Sequence, residues 1–263
     1  MLRLVSTVLL ASLISLPALH AQAETAEQKG LAIAIEADKR DTGFGDFTAS
    51  MKMELRNRQG DTSTRLLRLK TLEVIGDGDK SMSIFNQPAD VKGTAFLTWS
   101  HATRPDDQWL YLPALKRIKR INSKNKSGPF MGSEFAYEDL ASQEVEKYTY
   151  KYLRDEKLNG IDTFVIERYP AYKHSGYKRQ LVWINQQEYR PEKIEFYDRK
   201  NALLKTLSFS GYRQYLGQYW RADVMEMVNH QTGKSTVLYW SDYRFRTGLS
   251  ERDFRKNALK RAR

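Results

Sequence analysis

A mainly β protein with a few helices, a β-rich α+β fold on one strongly curved antiparallel sheet, is what this 263-residue sequence predicts. Three observations carry the prediction. From Phe44 onwards apolar and polar residues alternate at a period of two, the mark of strands with one face buried. Turn-forming residues recur about every ten positions, which argues for hairpins and against βαβ crossovers. The strands so delimited number about a dozen, and the twist of a sheet that large makes it curl, split or close.

Residues 1–23 read as an address. Arg3 supplies a positive n-region, 4–16 is apolar but too short for a membrane span, and Ala21-Gln22-Ala23 is a small-x-small cleavage signature. A signal peptide removed after Ala23 is therefore expected, through the general secretory route because no arginine pair is present. With no cysteine, the chain has neither a cysteine lipid anchor nor disulfides. The expected location is the periplasm. Residues 24–263 are expected to form one domain, since no Pro/Gly/Ser-rich linker divides them. The whole sequence carries a net charge of +11; without Arg3, 42 basic residues face 32 acidic ones, a balance of +10. That favours transient contact with an anionic membrane surface or an acidic partner, while secretion sets nucleic acid aside.

The elements follow in order. Thr25-Ala26-Glu27-Gln28 has the form of a capping box, and Leu31, Ala34, Ile35 and Asp38 continue at helical spacing until Gly43. This predicts one amphipathic helix, with a modest apolar face that needs a larger support. Phe47, Ala49, Met51, Met53 and Leu55 then alternate with polar residues in a first strand. Further strands are expected at 65–75, 81–86, 94–99 and 108–112, then at 148–152 and, after the strong hairpin signal Asn159-Gly160, at 163–169, 176–184, 193–197, 203–211, 219–228 and 235–244. Residues 137–144 read as a short helix with Ser133 or Asp139 as its cap, and 249–254 as the start of a terminal helix pinned by Phe254 and Leu259.

The stretch 109–140 organises the rest. It joins an aromatic-aliphatic strand (Trp109, Leu110, Tyr111, Leu112), the stop Pro113, a basic run (Lys116, Arg117, Lys119, Arg120) and a loop that sets Phe130, Met131 and Phe135 between Gly128, Gly132 and the acids Glu138 and Asp139. Loops are mostly polar, so one this apolar either plugs a core or closes over something greasy. The basic run either protects a sheet edge from aggregation or docks on an anionic membrane or partner. Methionines on facing strands (Met51, Met53, Met225, Met227) and the aromatics Trp99, Trp183 and Phe196 suit either core filling or a pocket for flexible acyl chains.

Little speaks for catalysis. The histidines His101, His174 and His230 lack partners at metal-ligand spacing, and no phosphate loop, nucleophile elbow or HExxH helix occurs, so neither metal nor cofactor is expected. Glu138, Asp139 and Glu144 are the best candidates for convergent hydrolytic acids, and read more simply as solvated or capping groups.

The blocks PADVKGTAFL (88–97), WLYLPALKRIKRI (109–121) and FMGSEFAYEDL (130–140) resemble the periplasmic outer membrane lipoprotein-sorting proteins, relatives of the carrier LolA. The resemblance implies an incomplete antiparallel barrel with helices as a lid over an apolar cavity. It further implies a non-catalytic carrier or chaperone of acylated lipoprotein or lipid, serving outer membrane biogenesis alongside an inner-membrane transporter of the resistance-nodulation-division type. The expected lipid-binding residues are Met51, Met53, Trp99, Trp109, Tyr111, Phe130, Met131, Phe135, Trp183 and Phe196, with Lys116, Arg117, Lys119 and Arg120 for docking. An envelope scaffold with a filled interior and a periplasmic hydrolase are the alternatives.

Overall fold

The structure, a computed structural model, describes residues 23–262; the expected signal peptide, apart from Ala23, lies outside the described residues. Thirteen strands form one sheet: β1 Asp46–Arg56, β2 Thr62–Leu72, β3 Lys80–Gln87, β4 Ala95–Trp99, β5 Asp107–Leu112, β6 Arg117–Ile121, β7 Tyr148–Leu158, β8 Ile161–Pro170, β9 Tyr177–Asn185, β10 Pro191–Asp198, β11 Leu203–Tyr215, β12 Tyr219–Asn229 and β13 Ser235–Phe245. Their spatial order is β6-β5-β4-β3-β2-β1-β13-β12-β11-β10-β9-β8-β7, so the sheet curves without closing and β6 and β7 are its edges. Every pairing is between sequence neighbours except at the seam where β1 meets β13, with Met51 opposite Trp240 and Met53 opposite Leu238. The expected incomplete antiparallel barrel is the fold. The Asn159-Gly160 turn joins β7 to β8 with both residues at positive φ (50° and 87°), the geometry that pairs right-twisted strands most tightly.

Because side chains alternate across a strand, the sheet carries two separate apolar clusters. One fills the concave side and draws on nearly every strand, with Met51, Met53, Phe85, Phe96, Phe196 and Met227 all buried. The other lies on the opposite face of β3–β5, where Met82, Ile84, Leu97 and Trp109 meet Phe254 and Leu259 of the C-terminal strap.

One α-helix, α1 (Ala26–Asp41), starts as expected: Thr25 Oγ1 accepts from the Gln28 amide at 3.1 Å and Gln28 Oε1 from the Thr25 amide at 2.9 Å. Its buried face differs from the expected one. Leu31 and Ile35 are 41 % and 50 % exposed, and the helix is buried through Gly30 and Ile33. The reason is close approach: a Cβ on Gly30 would stand 2.7 Å from the Tyr152 amide nitrogen, so only glycine lets the helix lie flush on β7.

The other two helices are corrected to 3-10 turns. At 137–144 only Tyr137–Leu140 turns, because Ala141 is extended and Ser142 is drawn to Ser100 and Asp79. In the strap, turns Glu251–Phe254 and Lys256–Arg261 flank an extended Arg255. A continuous α-helix would point residues five apart about 140° away from each other. The break lets Phe254 and Leu259 both enter the sheet, where each is fully buried, pinning the strap as expected.

Candidate functional site

The concave floor is apolar from one edge of the sheet to the other, and segment 122–147, which links β6 to β7, lies across it. Phe130 drops into the floor between Phe85 (ring centroids 5.9 Å apart) and Phe96 (5.1 Å), with Tyr137 edge-on at 5.6 Å. Phe130 and Phe135 are 1 % and 3 % exposed. A tight lobe holds them: the Phe130 amide donates to the Phe135 carbonyl at 2.7 Å and Ser133 Oγ to the Phe130 carbonyl at 2.7 Å. Met131, half-buried against the same cluster, sits at φ 50°, and its carbonyl accepts from the Arg65 guanidinium. The segment's own side chains thus occupy the interior.

Its rim is polar and charged. Lys205 Nζ of β11 lies 2.7 Å from Asp139 Oδ2, with both side chains buried, and donates to the Glu134 carbonyl at 2.8 Å. Asp139 also accepts from Tyr177 Oη at 2.8 Å and from the Ala136 amide at 2.7 Å. Glu138, 4 % exposed, accepts from the Gly176 amide (2.8 Å), Ser175 Oγ (2.8 Å) and Tyr172 Oη (3.1 Å). Burial and, second, the neighbouring Asp139 raise the Glu138 pKa. Lys126 stacks its ammonium 3.5 Å over the Tyr172 ring, and burial lowers its pKa. Asn229 Nδ2 holds Glu134 Oε2 at 2.6 Å.

The far end of the segment is tied down in the same way. Lys147 Nζ meets Asp106 Oδ1 at 2.9 Å and the Ser142 carbonyl at 2.7 Å, while Ser142 Oγ accepts from the Asp79 amide at 3.1 Å. Burial, reinforced by Glu144, Glu73 and Asp41 against the opposing Val74 amide, pushes the Asp79 pKa up to about 7.

Of the residues singled out in the sequence, Met51, Met53, Phe130, Met131, Phe135 and Phe196 come together in the concave cluster. The other four do not. Trp99, Trp109 and Tyr111 belong to the opposite face beneath the strap, where Trp99 and Trp109 lie 4.8 Å apart and Trp99 Nε1 donates to the Phe254 carbonyl at 2.8 Å. Trp183 pairs across the sheet with Val165, one position out of register with the inward Val182 and Ile184; its Nε1 donates to Glu156 at 3.0 Å and Lys193 covers its ring. Grouping these four with the loop is corrected by the period of two, which sends Trp109 and Tyr111 opposite to Leu110 and Leu112. Lys116, Arg117, Lys119 and Arg120 lie on or beside the edge strand β6 and are exposed, with Arg120 paired to Asp107. Glu138 and Asp139 are not solvated acids: Glu138 is 4 % exposed and the Asp139 side chain 7 %. Lys205 escaped notice, although its place in the alternation with Leu207 and Phe209 puts a lysine on the inward face.

Among the described residues no helix is long and apolar enough to cross a membrane, and no group of three or more His, Asp or Glu side chains is disposed to hold a metal.

The comparisons with known proteins define first a class. The chain shares its fold with a LolA superfamily protein from Nitrosomonas europaea, 24 % identical, over 90 % of this chain and all of that one, at a TM-score of 0.70. Two similarities are much nearer. A chain described as an outer membrane lipoprotein-sorting protein domain, from Vibrio parahaemolyticus, is 64 % identical over 89 % of this chain and 99 % of that one, with a TM-score of 0.88. A DUF1329 family protein from Desulfovibrio piger is 32 % identical over the same shares, with a TM-score of 0.85. A family profile described only as uncharacterized-protein-like matches residues 77–261, and no curated protein matches the chain. The chain belongs to the outer membrane lipoprotein-sorting family, within the DUF1329 group.

Proposed function

We propose that this protein is a periplasmic carrier that takes up an acylated lipoprotein or lipid on its concave face, and that segment 122–147 is the lid it displaces. The observation that carries the reading is the lid's composition: an apolar centre, Phe130 and Phe135, inside a rim of ion pairs and hydrogen bonds. When such a lid lifts, the rim groups regain water, whereas the floor of Met51, Met53, Phe196 and Met227 has to be covered by something apolar. An acyl chain supplies that cover, at about 0.8 kcal/mol per buried methylene. The segment holds only short 3-10 turns, so few regular backbone hydrogen bonds oppose its release. The described function of the 64 % identical relative supports a sorting role.

On this reading the mature protein is residues 24–263, secreted after loss of its signal peptide, and it performs no covalent chemistry. Lys116, Arg117, Lys119 and Arg120 face its delivery partners: an anionic membrane surface and an inner-membrane transporter of the resistance-nodulation-division type. The test is native mass spectrometry of the protein purified from periplasm without detergent, followed by extraction of whatever is bound. Lipid or acylated peptide at a defined ratio, lost in a folded Phe130→Asp variant, is the expected result. An empty protein that also refuses added lipid makes the lid a permanent plug and the molecule a scaffold.

A further inference from the structure

A second site lies on the other side of the sheet. Between β2, β3 and the C-terminal strap a pocket of about 270 Å³ remains open, with Lys70, Arg252 and Arg261 on its walls and Met82 and Ile84 beneath. The three cations come from three places in the chain: the C-terminal end of β2 and both turns of the strap. None forms an ion pair with a described residue, although neighbouring cations do: Lys80 pairs with Glu251 and Arg120 with Asp107. The one acid lining the pocket, Asp253, is turned to its own strap, accepting from the Ser250 amide at 2.9 Å and Ser250 Oγ at 3.1 Å.

Three converging positive charges against one occupied carboxylate leave an uncompensated charge of two, beside buried aliphatic side chains. That combination calls for an anion carrying an apolar portion. The surroundings indicate where such a ligand comes from. The strap's second turn packs against β4, β5 and β6, and its exposed Lys256, set over the Trp109 ring, and Lys260 add positive charge on the pocket's side of the sheet, whereas Arg117 and Lys119, opposite Leu112 and Leu110, face the other side.

We propose that this pocket seats the phosphate-bearing head group of an anionic phospholipid, so that the convex side of the protein docks on an anionic bilayer while the concave side stays free. The inference stands independently of the carrier reading, since a scaffold would need the same anchorage.

The test is flotation of the full mature chain with vesicles of phosphatidylglycerol and phosphatidylcholine in a one-to-three mixture, against vesicles of phosphatidylcholine alone. Wild type is expected to float with the first and not the second. The triple variant Lys70→Gln, Arg252→Gln, Arg261→Gln should bind at least tenfold more weakly, and soluble glycerol phosphate should compete for the wild-type site. The triple variant Lys178→Gln, Lys200→Gln, Lys234→Gln removes the same charge from exposed positions elsewhere and should change binding less than threefold. Equal losses in the two variants would reduce the effect to overall charge and overturn the proposal. Inorganic phosphate binding without vesicle binding would equally overturn the bilayer assignment. Should the pocket variant not fold, glycerol phosphate failing to release wild type from vesicles would overturn it.

Discussion

The two covers of this sheet are held by opposite means. The strap over the convex face is fastened chiefly by Phe254 and Leu259, both fully buried, with a hydrogen bond from Trp99 and a Lys80–Glu251 ion pair whose carboxylate is exposed and adds little. The lid over the concave face also buries two phenylalanines, but it is ringed by Asp139–Lys205, Glu138 with its three donors, and Lys147–Asp106. An apolar pin gains nothing by moving into water. A charged latch trades one set of hydrogen bonds for another, so the difference separates a permanent cover from a removable one.

Phe254→Ala should do the most damage, costing about 3–5 kcal/mol through the lost burial and the cavity left behind, read as a fall in melting temperature with exposure of the convex cluster. Lys205→Ala leaves Asp139 buried without its cation and should cost about 3 kcal/mol. The loss should be local: amide exchange in 126–147 accelerates while the strap stays protected, and Lys205→Met with Asp139→Leu recovers most of the stability. Uniform acceleration in the single variant would erase the distinction between the covers. Gly30→Ala, which forces a Cβ against the β7 backbone, should cost about 1–3 kcal/mol and free α1 without disturbing either cover.

A further effect concerns pH. Asp79, at the foot of the lid, has a folded pKa of about 7, above its ordinary value. Between about pH 4 and 7 the unfolded chain ionises this group while the folded one keeps its proton, so this contribution to stability falls as pH rises and levels off above 7. Asp79→Asn should flatten that part of the profile in melts from pH 4 to 8; an unchanged slope would remove Asp79 as its source.

Much of the scaffold was legible because it obeys local rules. The capping box at Thr25, the Asn159-Gly160 hairpin and the alternation of Met51 and Met53 each report short-range geometry. What escaped depends on tertiary contact. The buried side of α1 was misread because an interior glycine looks like a weakness until a strand backbone arrives 2.7 Å from where its Cβ would be. Trp99, Trp109, Tyr111 and Trp183 have the aromatic character of a cavity lining, and only strand register separates them from the loop. Lys205, Glu138 and Asp139 were hidden by the general preference of charged residues for water, which gives no warning when a partner waits on a strand dozens of positions away.

The seam between β1 and β13 has a bearing on assembly during export. Strands β1–β6 and β7–β13 are each a run of hairpins between sequence neighbours, and the seam is the sheet's one long-range pairing. A chain emerging amino-terminus first can build the first leaf early and the second as it appears, yet the two join only when β13, nearly the last element, arrives. The molecule is then a book bound at its first and last strands, with its fore-edges at β6 and β7 and segment 122–147 as the ribbon between them. Its binding is completed last, and the ribbon's length sets how far the covers can part.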